Sequence, residues 1–391
     1  MHKRMILGLA AALLASLTGS AAESTVTTRP LWMRDVQISP DGASIAFTYK
    51  GDIWVVPTQG GMARQLTATD YYETTPVWSP DGKSIAYACA RHGNLDVFMI
   101  DVRGGRPQRL TSNSAAETPE AFSPDGKSIY FSAAIQAPAT SAMFPSSRMT
   151  QHNKVAVSGG APVQVLGTPA QLMSWTDKTG KSFVYQDVKG FEDQWRKHHT
   201  SSVTRDLWLY DGATGKHTNL TNRAGEDRNP VVAGDRLYFL SEREGDNCIN
   251  VYTAPLADVS KAQRLTAFKG NPVRFLSRGA DGTLCFGYDG EIYTMKDTDK
   301  APRRVEVSLI DPDDPVAEKK KVSSGATSAA PSPDGKSIAF TYRGDVFVTS
   351  VEYTTTKQIT HTPEAEYGLS WAPDGKTLYY TSERDGNAAI Y

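Results

Sequence analysis

The sequence predicts an all-β fold: a six-bladed β-propeller of four-stranded blades, followed by the first two blades of a second propeller. Two observations carry this expectation. The motif Ser-Pro-Asp-Gly stands at Ser39-Pro40-Asp41-Gly42, Ser79-Pro80-Asp81-Gly82, Ser123-Pro124-Asp125-Gly126 and Ser332-Pro333-Asp334-Gly335, with the variant Ala372-Pro373-Asp374-Gly375. The first three copies are 40 and 44 residues apart and the last two are 40 apart, a period that suits four-stranded blades. Between the motifs, β-branched and aromatic runs alternate with turn residues at a density that helical repeats of similar length lack.

The second copy shows the order of elements. Thr75-Pro76-Val77-Trp78 leads into the Ser-Pro-Asp-Gly turn, Ser84-Ile85-Ala86-Tyr87-Ala88 follows, and then come Asp96-Val97-Phe98-Met99-Ile100 and Gln108-Arg109-Leu110-Thr111. In the turn, proline presets φ, aspartate bonds back to the local backbone, and glycine takes the left-handed position. Gly60-Gly61, Gly104-Gly105 and Gly159-Gly160 serve the turn before the fourth strand. Strands such as Ile53-Trp54-Val55-Val56 are apolar on both faces, as expected of a blade sandwiched between neighbours.

Three less regular copies follow the third motif. They are read through Phe183-Val184-Tyr185 and Asp206-Leu207-Trp208-Leu209-Tyr210, through Arg236-Leu237-Tyr238-Phe239 and Ile249-Asn250-Val251-Tyr252, and through Thr283-Leu284-Cys285-Phe286 and Glu291-Ile292-Tyr293. The sequence then starts again, because Ile338-Ala339-Phe340-Thr341-Tyr342-Arg343-Gly344-Asp345-Val346-Phe347 repeats Ile45-Ala46-Phe47-Thr48-Tyr49-Lys50-Gly51-Asp52-Ile53-Trp54. Between the copies, Asp311-Pro312-Asp313-Asp314-Pro315 and a Ser/Gly/Ala/Thr stretch read as linker. The expected division is a propeller at 23–308, a linker at 309–329 and the start of a second propeller at 330–391, broken off within a repeat. A single eight-bladed ring is the alternative, disfavoured by the linker and the restart.

The N-terminus reads as a secretory signal peptide over residues 1–22. His2-Lys3-Arg4 is basic, residues 5–17 are apolar, and Ser20-Ala21-Ala22 supplies small residues for cleavage before Glu23. An apolar run of that length is short for a bilayer span, so the expectation is an exported, periplasmic protein without a membrane span. Cys89, Cys248 and Cys285 are expected to be buried free thiols. A formal net charge of −1 and the lack of a long basic block argue against nucleic acid.

No catalytic, cofactor-binding or metal-ligating residue is assigned from the sequence, and no cofactor is expected. Gly-x-Ser-x-Gly, His-Glu-x-x-His, the phosphate-binding loop and Cys-x-x-Cys are all missing. The densest cluster of suitable residues, His198-His199 beside Ser201 and Ser202, reads as an exposed loop, since proximity in sequence says nothing about nucleophile geometry. Arg343-Gly344-Asp345 spells an adhesion tripeptide, yet Lys50-Gly51-Asp52 at the same place in the first repeat marks it as a strand-to-strand turn. Asn219-Leu220-Thr221 fits a glycosylation acceptor but aligns with the strand ending Arg64-Gln65-Leu66-Thr67. Residues 133–152 form a long insertion, either a cap over one mouth of the channel or a surface loop.

Taken together, the six-repeat array, the linker, the restart at Ser332-Pro333-Asp334-Gly335, and Glu192-Asp193-Gln194-Trp195-Arg196-Lys197-His198-His199 ahead of Arg205-Asp206-Leu207-Trp208 resemble the N-terminal part of exported tricorn-type proteases. The resemblance implies a serine peptidase whose catalytic core, of the C-terminal-processing-peptidase type, lies in a C-terminal part absent from this sequence. It implies peptide or unfolded polypeptide substrates guided by the propellers, and downstream domains of the same polypeptide as partners. It also leaves room for a homo-oligomer. Basic residues of the family's first propeller can hold a substrate carboxylate, but no motif here fixes which. The competing reading is a TolB-like periplasmic protein-binding propeller without enzymatic activity. It is weakened because blades begin directly after the leader, with no small α/β domain. A prolyl-oligopeptidase relative would lack the linker after the sixth blade.

Overall fold

A computed structural model describes residues 26–27, 29–135, 149–191, 197–198, 200–244, 248–310, 322–353 and 355–391. The expected leader at 1–22, residues 311–321 of the expected linker, and residues 136–148 of the insertion lie outside the described residues. The chain divides into two compact units, Met1–Asp314 and Pro315–Tyr391.

The first unit opens with β1 (Val26–Thr27). A four-stranded sheet follows, made of β2 (Arg34–Ile38), β3 (Ser44–Tyr49), β4 (Asp52–Pro57) and, after the short β5 (Gly61–Met62), β6 (Arg64–Gln65). The second sheet is β7 (Glu73–Trp78), β8 (Ser84–Cys89), β9 (Asp96–Asp101) and β10 (Gln108–Arg109). A seven-stranded sheet holds β11 (Glu117–Phe122), β12 (Ser128–Ala133), β13 (Gln151–Ala156), β14 (Val163–Trp175), β15 (Phe183–Asp187), β16 (Leu207–Asp211) and β17 (Lys216–Asn219). Next come β18 (Asp227–Ala233), β19 (Arg236–Ser241), β20 (Asn250–Pro255) and β21 (Gln263–Arg264). The last four-stranded sheet is β22 (Arg274–Arg278), β23 (Leu284–Tyr288), β24 (Glu291–Met295) and β25 (Arg303–Arg304), and β26 (Val307–Ile310) ends the unit. Each of these repeat sheets is antiparallel, as short turns demand, while β1, β26 and β5 form a separate mixed sheet.

Side chains build the recurring turn as its residue types require. In the second sheet Ser79 Oγ donates to Asp81 Oδ1 at 2.6 Å and accepts from Ser84 N at 2.9 Å, while Asp81 Oδ1 also accepts from Lys83 N. Gly82, at φ +69°, closes the loop by donating to Ser79 O. The copies at Ser39, Ser123 and Ser332 repeat these bonds.

The third and fourth repeats are joined, because β14 serves both. Its start pairs with β13 (Val163 opposite Lys154) and its end with β15 (Trp175 opposite Phe183). Thr168 precedes Pro169, a setting that favours extended backbone, so the chain runs on where other repeats turn.

Neighbouring repeats are stitched where each first strand begins. Glu73 N donates to Gly51 O at 2.7 Å, Glu117 N to Leu95 O at 2.8 Å, and Ala170 N to Thr150 O at 2.9 Å. Asp227 N donates to Arg205 O at 3.1 Å and Val273 N to Ile249 O at 2.9 Å. Met33 N then returns the series to Gly290 O at 3.0 Å. The first strands accordingly touch in the closed order β2, β7, β11, β14, β18, β22 and back to β2.

The two ends of the unit meet at that return. β26 pairs antiparallel with β1 (Val26 opposite Ile310) and parallel with β5 (Val307 opposite Gly61). Glu291 accepts from Arg29 Nε at 2.7 Å and from Arg304 Nη1 at 3.0 Å. One apolar core joins Ile45, Phe47, Tyr49 and Trp54 of the first sheet to Cys285, Ile292 and Val305 near the last sheet. Leu309, inside the expected linker, is fully buried in β26.

The second unit contains a four-stranded sheet of β27 (Ala326–Pro331), β28 (Ser337–Tyr342), β29 (Asp345–Ser350) and β30 (Thr356–Gln358), and a three-stranded sheet of β31 (Tyr367–Trp371), β32 (Leu378–Ser382) and β33 (Ala389–Ile390). β27 starts within the Ser/Gly/Ala/Thr stretch expected to be linker. No described helix is long and apolar enough to cross a membrane.

Candidate functional site: the inner strands and their rim

Each first strand of the first unit carries a bulge, where its register slips against the second strand. Five of the six bulges contain a non-glycine residue in the left-handed region: Asp35, Thr75, Leu172, Asn229 and Phe275, with φ between 47° and 59°. Glu120 fills the bulge of β11.

Bulge side chains tie the inner wall together. Asp35 Oδ2 accepts from Thr48 Oγ1 in its own sheet and from Thr74 Oγ1 of the next at 2.7 Å. Asn229 trades two bonds with the backbone of Leu276, accepting from its N at 2.8 Å and donating to its O at 3.0 Å. Glu120 Oε2 lies 2.8 Å from Nε2 of His152, with both side chains buried and Phe183 and Tyr185 edge-on to the imidazole.

Just ahead of the bulge, three successive strands of the circuit carry arginine: Arg228 in β18, Arg274 in β22 and Arg34 in β2. The matching positions in β7 and β14 are Thr74 and Gln171. Arg34 is exposed, and Arg228 and Arg274 are half-buried. The matching position in β11 is Pro119, so the arginines of this position fall on one side of the circuit.

A second constellation recurs behind the rim. An acid opens or directly precedes the first strand, a serine or cysteine ends the second, and an arginine follows two residues later. Arg243 Nη2 meets Asp227 Oδ1 at 3.1 Å, its Nε donates to Ser241 Oγ at 3.0 Å, and its guanidinium lies over Phe239 and Tyr252. Arg384 repeats this with Glu366, Ser382, Tyr380 and Tyr391. In the second sheet the serine is Cys89, whose thiol points to Glu73 Oε1. Arg91 then keeps only a 3.8 Å ion pair with Glu73 and its stacking on Tyr71 and Phe98, and its buried Nε has no acceptor. A cleft of about 530 Å³ lined by Asp52, Gln65, Thr69, Asp70, Tyr71 and Arg91 lies beside it.

Burial raises two carboxyls and two thiols of the first unit. It pushes Asp52 up to about 6 and Glu117 up to about 7, the charges of Glu73 and Asp96 respectively adding to the effect. It also pushes the Cys89 thiol up to about 11, and raises that of Cys285. All three cysteines are buried, and the raised thiols of Cys89 and Cys285 stay protonated and are poor nucleophiles.

The residues singled out from sequence have these surroundings where they are described. His198 Nδ1 is 2.8 Å from Glu242 Oε2, and Ser201 Oγ accepts from Val203 N within its own turn. His199 lies outside the described residues. Arg343-Gly344 is the two-residue turn between β28 and β29, with φ of 52° and 90°, matching Lys50-Gly51 at 51° and 86°. Asp345 is occupied by Gln358 and Thr360. Asn219 ends β17 and caps Thr221 N and Asn222 N, while Thr221 Oγ1 accepts from Leu207 N and donates to Asp206. Among the described residues, no three His, Cys, Asp or Glu converge to hold a metal ion.

Comparison with known proteins gives consistent matches. The family model described as the tricorn protease N-terminal beta propeller domain matches residues 25–301. "Tricorn protease homolog 1" of Streptomyces coelicolor is 27% identical over 277 residues, 69% of this chain and 24% of that protein. An "Uncharacterized peptidase YuxL" of Bacillus subtilis is 42% identical over 64 residues, covering 15% of this chain and 9% of that one. The solved structure of "the tricorn protease" superposes with a TM-score of 0.64 at 22% identity, over 93% of this chain and 35% of that one. The chain thus spans about a quarter of the curated relative and about a third of the solved one.

Proposed function

This chain belongs to the family of tricorn protease N-terminal β-propeller domains, and from that membership we propose that it is the non-catalytic propeller portion of an exported, tricorn-like serine peptidase. In this reading the first unit is a six-bladed ring, the second unit begins another propeller, and the proteolytic core lies elsewhere in the polypeptide. The ring admits extended peptides and unfolded segments and excludes folded domains. Downstream domains, and further copies of the assembly, are its protein partners.

The observation that carries the reading is the closed order of bulged first strands, with Met33 returning to Gly290. A ring of six such strands encloses a narrow axis, along which an extended chain can lie. The arginines at 34, 228 and 274 place positive charge on one side of that axis, suited to a peptide carboxylate.

The test uses the intact chain and a short extended peptide, presented free or as part of a folded domain. Anisotropy should report binding of the free peptide only, weakened severalfold by Arg34→Glu and Arg274→Glu. Equal binding of both forms would sink size-selective entry.

A further inference from the structure

We propose that Leu31, Trp32, Tyr71 and Tyr72 form an apolar capture rim for the channel, selecting extended polypeptides that carry large apolar side chains. The proposal rests on the channel reading above and names the class of segment the channel takes. Leu31 is 49%, Trp32 72%, Tyr71 46% and Tyr72 48% exposed. All four sit in the two residues before a stitching hydrogen bond, those of Met33 and Glu73. They therefore mark the entrance ends of β2 and β7, which are neighbours in the circuit.

The fold does not require aromatic residues there. The pairs at the other junctions are Ala115-Ala116, Thr168-Pro169, Gly225-Glu226 and Asn271-Pro272, each making the same bond with small, polar or proline residues. Trp32 is also held in the left-handed region, at φ 67°. That conformation costs a residue with a Cβ about 1 kcal/mol or more, and Trp32 recovers little of it by burial. Its backbone is pinned instead: a Cβ on Gly290 would stand 2.7 Å from Trp32 N. A strained, pinned and exposed tryptophan, with two exposed tyrosines ahead of the neighbouring first strand, has the composition of a binding hot spot rather than of a folding element.

Arg34, two residues beyond Trp32, stands on the side of the circuit that carries the arginines, so the segment that fits couples apolar side chains to a neutral or acidic backbone stretch. In an extended chain alternate side chains face one way, so one face can lie on the rim while the strand enters the axis.

The experiment compares two labelled peptides of equal length and charge, one alternating Phe or Leu with Ser, the other Ser and Asn throughout. On the full chain the apolar peptide should bind about tenfold more tightly, the size of a single strong aromatic contact. Trp32→Gly with Tyr71→Ser and Tyr72→Ser should abolish that preference. Glycine suits φ 67°, which protects folding in the variant. As an independent readout, tryptophan emission should shift on adding the apolar peptide and lose that component in Trp32→Phe. If both peptides bind the wild type equally, or the variant keeps the preference, or the emission shift survives in Trp32→Phe, the rim is overturned and the channel reading stands. If neither peptide binds, the channel reading falls and the rim with it.

Discussion

At the scale of single residues, the substitution of cysteine for serine at position 89 is the most informative departure from the repeat. In the repeats of Ser241 and Ser382 the hydroxyl accepts from the arginine Nε; at Cys89 that donor is stranded. Cys89→Ser should therefore leave the unfolding free energy from urea titration unchanged or raise it by up to about 1 kcal/mol, the net worth of a new hydrogen bond, although a polar atom replaces sulfur in the interior. A clear loss of stability would show that the sulfur's packing matters more. Glu117 offers a second check. Its carboxyl has an ordinary value of 4.5 and rises to about 7 in the folded protein through burial, so the folded state holds the proton more tightly. The stability this gives is complete below pH 4.5 and is lost as pH rises through 7. Glu117→Gln should gain on the wild type at pH 8 and lose that advantage at pH 5, read from denaturant midpoints at both. The turn aspartates move the opposite way, since Ser39, Ser79, Ser123 and Ser332 hold the carboxyls of Asp41, Asp81, Asp125 and Asp334 below their usual range. Their stabilisation is lost only as pH falls below 3.8. These turns were legible in the sequence because all their partners lie within five residues. The acid, serine and arginine constellation was not, because Asp227 and Ser241 meet only after two strands pair.

Among the elements, the turn between the third and fourth strands has one role in the first sheet and a lesser one in the second. Gly60 and Gly104 occupy equivalent turns with φ of 95° and 97°, yet a Cβ on Gly60 would stand 2.6 Å from Glu306 O, while one on Gly104 meets nothing within 4 Å. Gly104→Ala should cost about 1 kcal/mol, the strain of an L-residue in the left-handed region. Gly60→Ala should cost clearly more, because it also forces β5 from β26, and the difference between the two unfolding free energies isolates the closure contact. Equal costs would mean that the pairing of Val307 with Gly61 adds little. The periodic strands were readable from their turns and apolar runs. The merging of repeats through β14 was not, since its Gly167 and Pro169 look like turn residues although the chain stays extended there. Nor was the bulge in every first strand: Asp35 and Asn229 are tolerant of left-handed backbone, but Leu172 and Phe275 give no such hint.

Across the whole molecule, one six-residue sequence serves as its own control. Ser-Ile-Ala-Phe-Thr-Tyr forms β3 in the first unit and β28 in the second. In β3 Phe47 is fully buried, covered by Cys285, Ile292 and their neighbours, whereas in β28 Phe340 is only half-buried and Ala339 on the opposite face is fully buried. Phe47→Ala should cost about 3–5 kcal/mol and Phe340→Ala markedly less, measured by denaturation or by hydrogen exchange across β3 and β28. The restart was visible in the sequence because it is a literal repeat. What the sequence could not convey is that identical strands are finished to different degrees, since burial depends on which face finds a partner. The closure of the first unit also sets a timetable. Val26 pairs with Ile310, and Phe47 waits for Cys285. At about 5–20 residues per second of synthesis, the first sheet is complete tens of seconds before its covering partner exists. For that interval its apolar face is bare, so the nascent chain, more than the finished ring, is the form of this protein that a chaperone would meet and that crowding would endanger.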